Sequence, residues 1–138
     1  MRERVQLTQE FDLQTATIRC RQFALNAGLD AIATQKLATA TSELTRNIYK
    51  YANCHGWVDL TVQTNGVEKW VQVDVIDRGP GIADLDQALL DHYSSSGTLG
   101  LGLPGVRRLV DHFEIHSSPG QGTHVSVRMN CGRRDRYR

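Results

Sequence analysis

The stretch SSSGTLGLGLPGV carries Gly97, Gly100, Gly102 and Gly105, the last three in the spacing G-x-G-x-x-G. Glycines let backbone amides approach a ligand because no side chain stands in between. Pro104 suits the first turn of a helix, and a helix that starts there would direct the positive end of its dipole at the loop. The stretch is therefore a candidate phosphate-binding loop. The alternative is a flexible loop followed by a helix cap.

Two widespread phosphate-binding motifs do not fit this stretch. A dinucleotide-binding motif follows a strand, opens the helix of a βαβ unit and has an acid about 20 residues further on. Here the preceding segment ALLDHYSSSGT does not alternate, and the segment SPGQG, which holds no acid, lies where that acid would be. The P-loop pattern G-x-x-x-x-G-K-[ST] is also absent. A phosphate site at these glycines must therefore be of another kind.

Glu43 and Asn47 form a second candidate constellation, on a segment whose pattern predicts a helix. Residues at i and i+4 share one helix face, and each of these two stands one position before an apolar residue, Leu44 or Ile48. A glutamate is a competent general base, and the amide oxygen of an asparagine is a hard ligand suited to Mg²⁺. The alternative is an ordinary solvated helix face.

A third constellation follows an apolar strand in the stretch VIDRGPGI. Asp77 ends the strand, and Gly79 and Gly81 come after it, separated by one residue. A carboxylate at this place can accept a hydrogen bond from an exocyclic amine such as adenine N6. The two glycines would let a flat ring lie close to the backbone. The alternative is a strand-ending turn that binds nothing.

The first half of the chain predicts the elements that hold Glu43 and Asn47. RVQLTQEFDL predicts a first strand through Val5, Leu7 and Phe11. Residues 14–27 predict a helix that ends near Gly28, and Asp30 is expected to cap a second helix. The apolar positions of the first helix are Ile18, Phe23, Ala24 and Ala27. Those of the second helix form one buried stripe, Leu37, Ala40, Leu44, Ile48 and Tyr51.

The second half of the chain predicts a β-hairpin with an Asn65-Gly66 turn, a polar segment, a helix and two closing strands. These elements are strands 57–64 and 70–76, a third long helix over 104–113, and strands 113–117 and 123–129. Adjacent antiparallel strand pairs with helices between them predict a two-layer α/β sandwich. We expect a mixed, mostly antiparallel sheet with the helices on one face.

Composition limits the class of protein. The 138 residues are 40% hydrophobic with a formal net charge of +1, which predicts one globular domain over 1–130 and a basic, mobile tail over 131–138. The sequence shows no signal peptide or membrane-spanning run, and its charge does not favour nucleic acid. Three widely spaced cysteines without a C-x-x-C are typical of reduced thiols in the cytoplasm. We expect a cytoplasmic protein that binds neither membrane nor nucleic acid.

The segments ELTRNIYKYA, DRGPGI and GTLGLGLPGV, in this order, resemble the N box, G1 box and G2 box of the GHKL ATPases. This is the family of gyrase B, Hsp90 and the histidine kinases. The resemblance covers nearly the whole chain and implies that family's Bergerat fold, with ATP and Mg²⁺ as cofactors. Within the family, the stretch SSSGTLGLGLPGVRRLVD looks most like the anti-sigma-factor kinases of the RsbT switch-kinase type.

The resemblance also implies a role for each matched residue. Glu43 would be the base toward the accepting hydroxyl, and Asn47 would hold Mg²⁺ on the triphosphate. The implied cofactor-binding residues are Asn47, Asp77, Gly79, Gly81, Gly97, Gly100, Gly102 and Thr123. Residues 83–98 correspond to a lid, in which some related kinases carry an arginine where this chain has Thr98. Lys50 is a candidate for supplying that charge, and a surface lysine is the alternative.

The function that the resemblance implies is an ATP-dependent serine/threonine protein kinase. It would phosphorylate a STAS-domain partner of the RsbS type and then switch to a PP2C-type phosphatase, in a stress-response pathway that regulates a sigma factor. The alternative is an anti-sigma factor or a phosphatase-activating module that uses ATP as a conformational ligand. ATP hydrolysis that drives mechanical change is disfavoured, because the sequence offers no second domain to move.

Overall fold

A computed structural model describes residues 1–52, 55–82 and 102–132 of the chain, apart from the side chain of Tyr51. Five strands and three helices lie within these ranges. In chain order they are β1 (Arg2–Leu7), α1 (Phe11–Asn26), α2 (Ala31–Ala52), β2 (Gly56–Thr64), β3 (Lys69–Asp77), α3 (Gly102–Leu109), β4 (His112–Ser117) and β5 (Thr123–Asn130). The predicted order of elements is confirmed. The predicted lid, Gly97, Gly100 and residues 133–138 of the tail lie outside the described ranges.

The five strands form one sheet in the order β1-β2-β3-β5-β4, and the four described pairings are all antiparallel. This confirms the predicted two-layer α/β architecture with a mostly antiparallel sheet. The register places Asp77 opposite Gly56 on β2 and opposite Thr123 on β5. Ser117, the last residue of β4, is also paired with Thr123. The ends of β3 and β4 therefore meet at the start of β5.

The core lies between the helices and one face of the sheet. Alternate residues of β3 and β5 are buried, as period-2 patterning requires: Val71, Val73, Val75, Val125 and Val127. The predicted stripe of α2 covers them, and Leu37, Ala40, Leu44 and Ile48 are each at most 3% exposed. Asp30 caps α2 as expected, since its Oδ1 accepts a hydrogen bond of 2.8 Å from the Ala33 N–H.

The first strand ends earlier than predicted. Phe11 does not continue β1; it is the first residue of α1 and is 60% exposed. The carboxylate of Asp12 accepts hydrogen bonds from the backbone N–H groups of Thr8 and Gln9, at 2.8 and 3.0 Å. These bonds turn the chain directly after Leu7 and favour a helix start over further strand.

Three further details correct the sequence-based expectation. Ile18 lies on the outer face of α1 and is 56% exposed. The hairpin loop has four residues, since Thr64 pairs with Lys69. The third helix is short, because the N–H of Asp111 already donates to the carbonyl of Arg128 on β5, at 3.0 Å. Within the described part of the chain, no helix is both long and apolar enough to cross a bilayer.

Candidate functional site

Asp77 lies where β3 ends, and its carboxylate is held by backbone donors. The Gly79 N–H donates to Asp77 Oδ1 at 2.8 Å, and the Thr123 N–H of the neighbouring strand also donates to this carboxylate. Burial raises the pKa of Asp77 above its ordinary value, while both backbone hydrogen bonds act to lower it. The result is a fixed, half-buried carboxyl group at the rim of the sheet.

A pocket of about 440 Å³ opens beside this carboxyl group, where β3, β4 and β5 end. Asp77, Ser117 and Thr123 line it, together with Gly122 and residues on the outer side of the sheet such as His124. Acceptors, hydroxyls and a peptide backbone thus surround one cavity. A concave pocket with a few fixed polar groups is typical of a site that binds a small ligand.

The glycines after Asp77 allow two close backbone approaches. A Cβ on Gly79 would lie 2.6 Å from the Cβ of Ala52, the last residue of α2. Gly81 has φ +77, a left-handed conformation that disfavours other residues, and a Cβ there would collide with the carbonyl of Ser118. The loop is thereby pressed against α2 on one side and against the turn after β4 on the other.

The C-terminal half of α2 lies over this same end of the sheet. Ile48 packs close to Gly56, where an added Cβ would be 3.2 Å from Ile48 Cδ1 and 3.1 Å from Asp77 Cα. Asn47, adjacent to Ile48 on α2, is half-buried. The predicted ligands Asn47 and Asp77 therefore belong to two segments that the fold brings together.

Glu43 lies one turn earlier on α2, with its side chain only 13% exposed. Arg46 Nη1 is 3.0 Å from Glu43 Oε1, an ion pair between residues three positions apart. Lys50, the other candidate cation on this helix, is exposed and makes an interaction of its own. Arg46 is a cation that the structure places on the Glu43 carboxylate.

The glycine-rich stretch is described only from Gly102 onward. Gly102 has φ +68 and is the first residue of α3, whose residues Leu103 to Val106 are buried. This helix packs against α2, the helix that carries Glu43 and Asn47. The structure brings Asp77, Gly79, Gly81 and Thr123 together.

Sequence reasoning missed two residues of the site. The hydroxyl of Ser117 lies within hydrogen-bond distance of Ile82, Gly122 and Thr123. No motif in the stretch FEIHSSPGQGTH marks this residue. Arg46 stands inside the stretch ELTRNIYKYA, where the spacing of three residues from Glu43 was the available signal.

Comparison with known proteins shows sequence similarity to one family model and to several characterised proteins. Residues 33–133 match the family model described as histidine kinase-, DNA gyrase B- and HSP90-like ATPase. The serine/threonine-protein kinase RsbT of Bacillus subtilis is 37% identical over 123 residues, which cover 89% of this chain and 92% of that protein. The anti-sigma F factor of Caldanaerobacter subterraneus is 30% identical over 102 residues, 70% of each chain.

Many solved structures share the fold, and two of them illustrate it. The RsbU and RsbW domains of a Mycobacterium tuberculosis protein match with a TM-score of 0.68 and 18% identity, covering 94% of this chain and 32% of that one. The mycobacterial sensor histidine kinase MprB matches with a TM-score of 0.56 and 16% identity, covering 86% and 91%. At these identities the likeness concerns the arrangement of strands and helices.

Proposed function

Because the chain belongs to the family of histidine kinase-, DNA gyrase B- and HSP90-like ATPases, we propose that it is an ATP-dependent serine/threonine protein kinase. The observation that carries this proposal is the near full-length similarity to the serine/threonine-protein kinase RsbT. The pocket beside Asp77, together with Glu43 and Asn47 on α2, supplies groups that such a reaction needs. We take residues 1–130 as the kinase domain and 131–138 as a basic tail.

Asp77 is the group that recognises adenine. Its carboxylate, fixed by the N–H groups of Gly79 and Thr123, can accept a hydrogen bond from the exocyclic N6 amine. Gly79 and Gly81 carry no side chain that would stand between the backbone and the ring. Thr123 lines the same pocket. Gly97, Gly100 and Gly102 contribute backbone N–H groups to the phosphates.

Asn47 is the Mg²⁺ ligand in this proposal. It is half-buried on the part of α2 that packs over the Asp77 end of the sheet. Mg²⁺ beside a triphosphate commonly takes few protein ligands and fills its other positions with phosphate oxygens and water. A single amide oxygen fits that donor set, and the ion would neutralise charge on the phosphates.

Glu43 is the proposed general base. The hydroxyl of a serine or threonine on the partner gives its proton to the Glu43 carboxylate as its oxygen forms a bond to the γ-phosphorus. The bond from that phosphorus to the β,γ-bridging oxygen breaks, and ADP leaves. A positioned base contributes about 10²- to 10⁴-fold to such a step, and Arg46 holds one oxygen of this base in place.

The proposed substrate is a small STAS-domain protein, and the proposed second partner is a PP2C-type phosphatase that binds once the first has been phosphorylated. This assignment rests on the RsbT-like motifs of the sequence, and on the matches to a kinase and to anti-sigma factors. It places the chain in a stress-response pathway of the cytoplasm that regulates a sigma factor.

The test is phosphotransfer to a STAS-domain protein at saturating Mg-ATP, with the modified residue located by mass spectrometry. We expect one phosphoserine or phosphothreonine with the parent protein and a much slower reaction with Glu43→Gln. ATP binding without phosphate on any supplied STAS protein would contradict the kinase proposal.

A second candidate function, an anti-sigma factor, is favoured by one observation. Several anti-sigma F factors are 29–33% identical to this chain, over 65–70% of its length and 64–70% of their own. If it is correct, the chain binds a sigma factor with an affinity that depends on bound ATP or ADP. Calorimetry with a purified sigma factor distinguishes this function from phosphotransfer.

A further inference from the structure

A line of large apolar side chains runs along the outer surface of α1. Phe11, Ile18 and Leu25 are each more than half exposed and recur at intervals of seven residues. Seven residues make almost two helical turns, so the three side chains lie on one face. The opposite side of α1 is buried in the core, so the packing of α1 on the sheet does not account for these residues. We call them the α1 stripe.

The middle of this face is otherwise polar and uncharged. Gln14, Thr15 and Gln22 stand three or four positions from a member of the stripe and therefore share its face. Arg21 lies at the edge of the face toward α2, where its Nη1 donates to Gln35 Oε1 at 3.3 Å. Large apolar side chains that repeat every seven residues form the seam along which one helix packs against another.

The α1 stripe is symmetric about Ile18, because Phe11 and Leu25 lie seven positions before and after it. If two copies of α1 pack antiparallel with their Ile18 side chains in contact, Phe11 of each copy meets Leu25 of the other. The same packing sets Gln14 opposite Gln22, and two amide side chains can hydrogen-bond because each both donates and accepts. The face is thus complementary to itself, which is the property that a two-fold symmetric interface requires.

The exposed apolar residues of α2 follow the same symmetry. Ile32 and Tyr49 are exposed near opposite ends of α2. The Tyr49 hydroxyl donates to Glu10 Oε2 at 3.2 Å, so Tyr49 lies at the Phe11 end of the stripe. Ile32 follows α1 after a short turn and lies toward the Leu25 end. The rotation that exchanges the two ends of the α1 stripe therefore also exchanges the ends of α2 that carry Ile32 and Tyr49.

We propose that the α1 stripe is a self-association surface, through which two copies of this chain form an antiparallel dimer with Ile18 on the two-fold axis. The inference goes beyond the proposed function and does not depend on it. A contact about 21 Å long and about 10 Å wide, the size of one helix face of this length, is small for a specific interface. We therefore expect a reversible dimer with a dissociation constant on the order of micromolar.

Disulfide trapping of the full chain tests the geometry. In Ile18→Cys the axis brings the two introduced cysteines together, so mild oxidation should link the copies through residue 18. In Phe11→Cys or Leu25→Cys alone, the two introduced cysteines lie 14 residues apart along the helices. That is about 21 Å, beyond the Cα separation of about 7 Å that a disulfide spans. Neither variant should cross-link by itself, whereas a mixture of the two should give the 11–25 disulfide.

Peptide mapping by mass spectrometry locates each disulfide, so the native cysteines can stay in place. The parent protein oxidised in the same way is the control for disulfides that involve Cys20, Cys54 or Cys131. A disulfide between two copies of residue 11 would mean parallel helices and would overturn the antiparallel arrangement. Failure of Ile18→Cys to link to itself would overturn the dimer, and it is the result expected if a helix of another protein covers this face.

Analytical ultracentrifugation over a range of concentrations measures the association itself. Ile18→Glu places two like charges on the axis, so its dissociation constant should rise at least tenfold above that of the parent. Because Ile18 is exposed, the variant should melt close to the parent by circular dichroism, which shows that the fold is kept. Val67→Glu is the matched control, since Val67 is an exposed apolar residue of the hairpin loop between β2 and β3.

Two results of the sedimentation experiment would overturn the proposal. One is a parent protein that stays monomeric at every concentration, and the other is a dimer that Ile18→Glu and Val67→Glu weaken equally. Both measurements are made without nucleotide or a protein substrate, so their outcome is distinguishable from success or failure of the proposed kinase activity.

Discussion

Gly79, two residues beyond the end of β3, packs directly on Ala52 at the end of α2, where an added Cβ would lie 2.6 Å from the Ala52 Cβ. This contact joins the segment that carries Asp77 to the helix that carries Glu43 and Asn47. The contact at this one glycine thereby fixes Asp77, the proposed adenine-binding residue, relative to Glu43 and Asn47, the residues proposed to act at the phosphates.

We therefore expect Gly79→Ala to reduce both stability and ATP binding. A contact of 2.6 Å requires the backbone of the loop or of α2 to move, and overpacking of this kind costs about 1–3 kcal/mol. Urea unfolding and calorimetry with ATP measure the two effects. Gly132→Ala is the matched control, since a Cβ there meets nothing within 4 Å. Equal unfolding free energies for the two variants would show that the contact is not a constraint.

The burial of Asp77 predicts a characteristic pH dependence of stability. Its pKa in the folded state is raised above the ordinary value of 3.8, so between these two values the folded state binds more protons than the unfolded state. The contribution of Asp77 to the free energy of unfolding must then fall as pH rises through that window. Denaturation across that window should show this fall in the unfolding free energy for the parent and not for Asp77→Asn. Parallel plots of unfolding free energy against pH for the two proteins would contradict the prediction.

The same carboxyl group predicts the opposite trend for nucleotide binding. Only the ionised form accepts hydrogen bonds without donating one, so affinity for ATP should fall as pH is lowered through the raised pKa of Asp77. The affinity of Asp77→Asn should be lower than that of the parent at neutral pH and should lack this dependence. Calorimetry at several pH values checks both statements.

Asp59 predicts a stability trend of opposite sign. Its carboxylate bridges β2 to β1 through Arg4, with Nε–Oδ1 and Nη2–Oδ2 distances of 2.6 and 2.9 Å. The hydrogen bond from Arg4 lowers the pKa of Asp59, so its contribution to stability is present above the unfolded-state pKa of 3.8 and is lost as pH falls through the lowered value. In Asp59→Asn the urea unfolding midpoint should fall less steeply as pH is lowered through this range. An unchanged pH dependence of the midpoint would show that the Arg4–Asp59 pair does not contribute to acid stability.

Local patterns predicted much of this fold, because the information lay within single segments. The stripe from Leu37 to Ile48 follows helical periodicity, and alternation placed Asp77 at the end of a buried strand. Phe11 was misplaced because alternation continued past Leu7, whereas the Asp12 carboxylate binds the preceding backbone and starts the helix.

The contacts of Ser117 could not be predicted in the same way. Its hydrogen bond to Ile82 joins residues 35 positions apart and exists only because β4 lies next to β5 at the edge of the sheet. No periodicity or motif in a single segment records such a contact. The third helix was predicted too long for a related reason. The Asp111 N–H donates to the Arg128 carbonyl and the Asn130 N–H donates to Asp111 Oδ2, and these two bonds to β5 end the helix.

Glu43 and Arg46 form an ion pair of 3.0 Å on α2. If Glu43 is the general base, Glu43→Gln should bind ATP normally and transfer phosphate about 10²- to 10⁴-fold more slowly. Arg46→Gln removes the group that holds one oxygen of this carboxylate, so it should slow transfer by a smaller factor. Single-turnover phosphorylation of a STAS-domain protein at saturating Mg-ATP measures both rates.

Double substitution distinguishes catalysis from simple helix stabilisation. If Arg46 acts by positioning Glu43, Arg46→Gln should have no further effect on the rate once Glu43 is glutamine. If the pair only stabilises α2, each single change should cost about 0.2–0.5 kcal/mol of stability and leave the rate within a few-fold of the parent. Lys36→Gln, an exposed charge change earlier on α2, controls for the loss of a cation. Parent-like rates in Glu43→Gln would remove the base from the mechanism and leave positioning of the phosphates to account for the reaction.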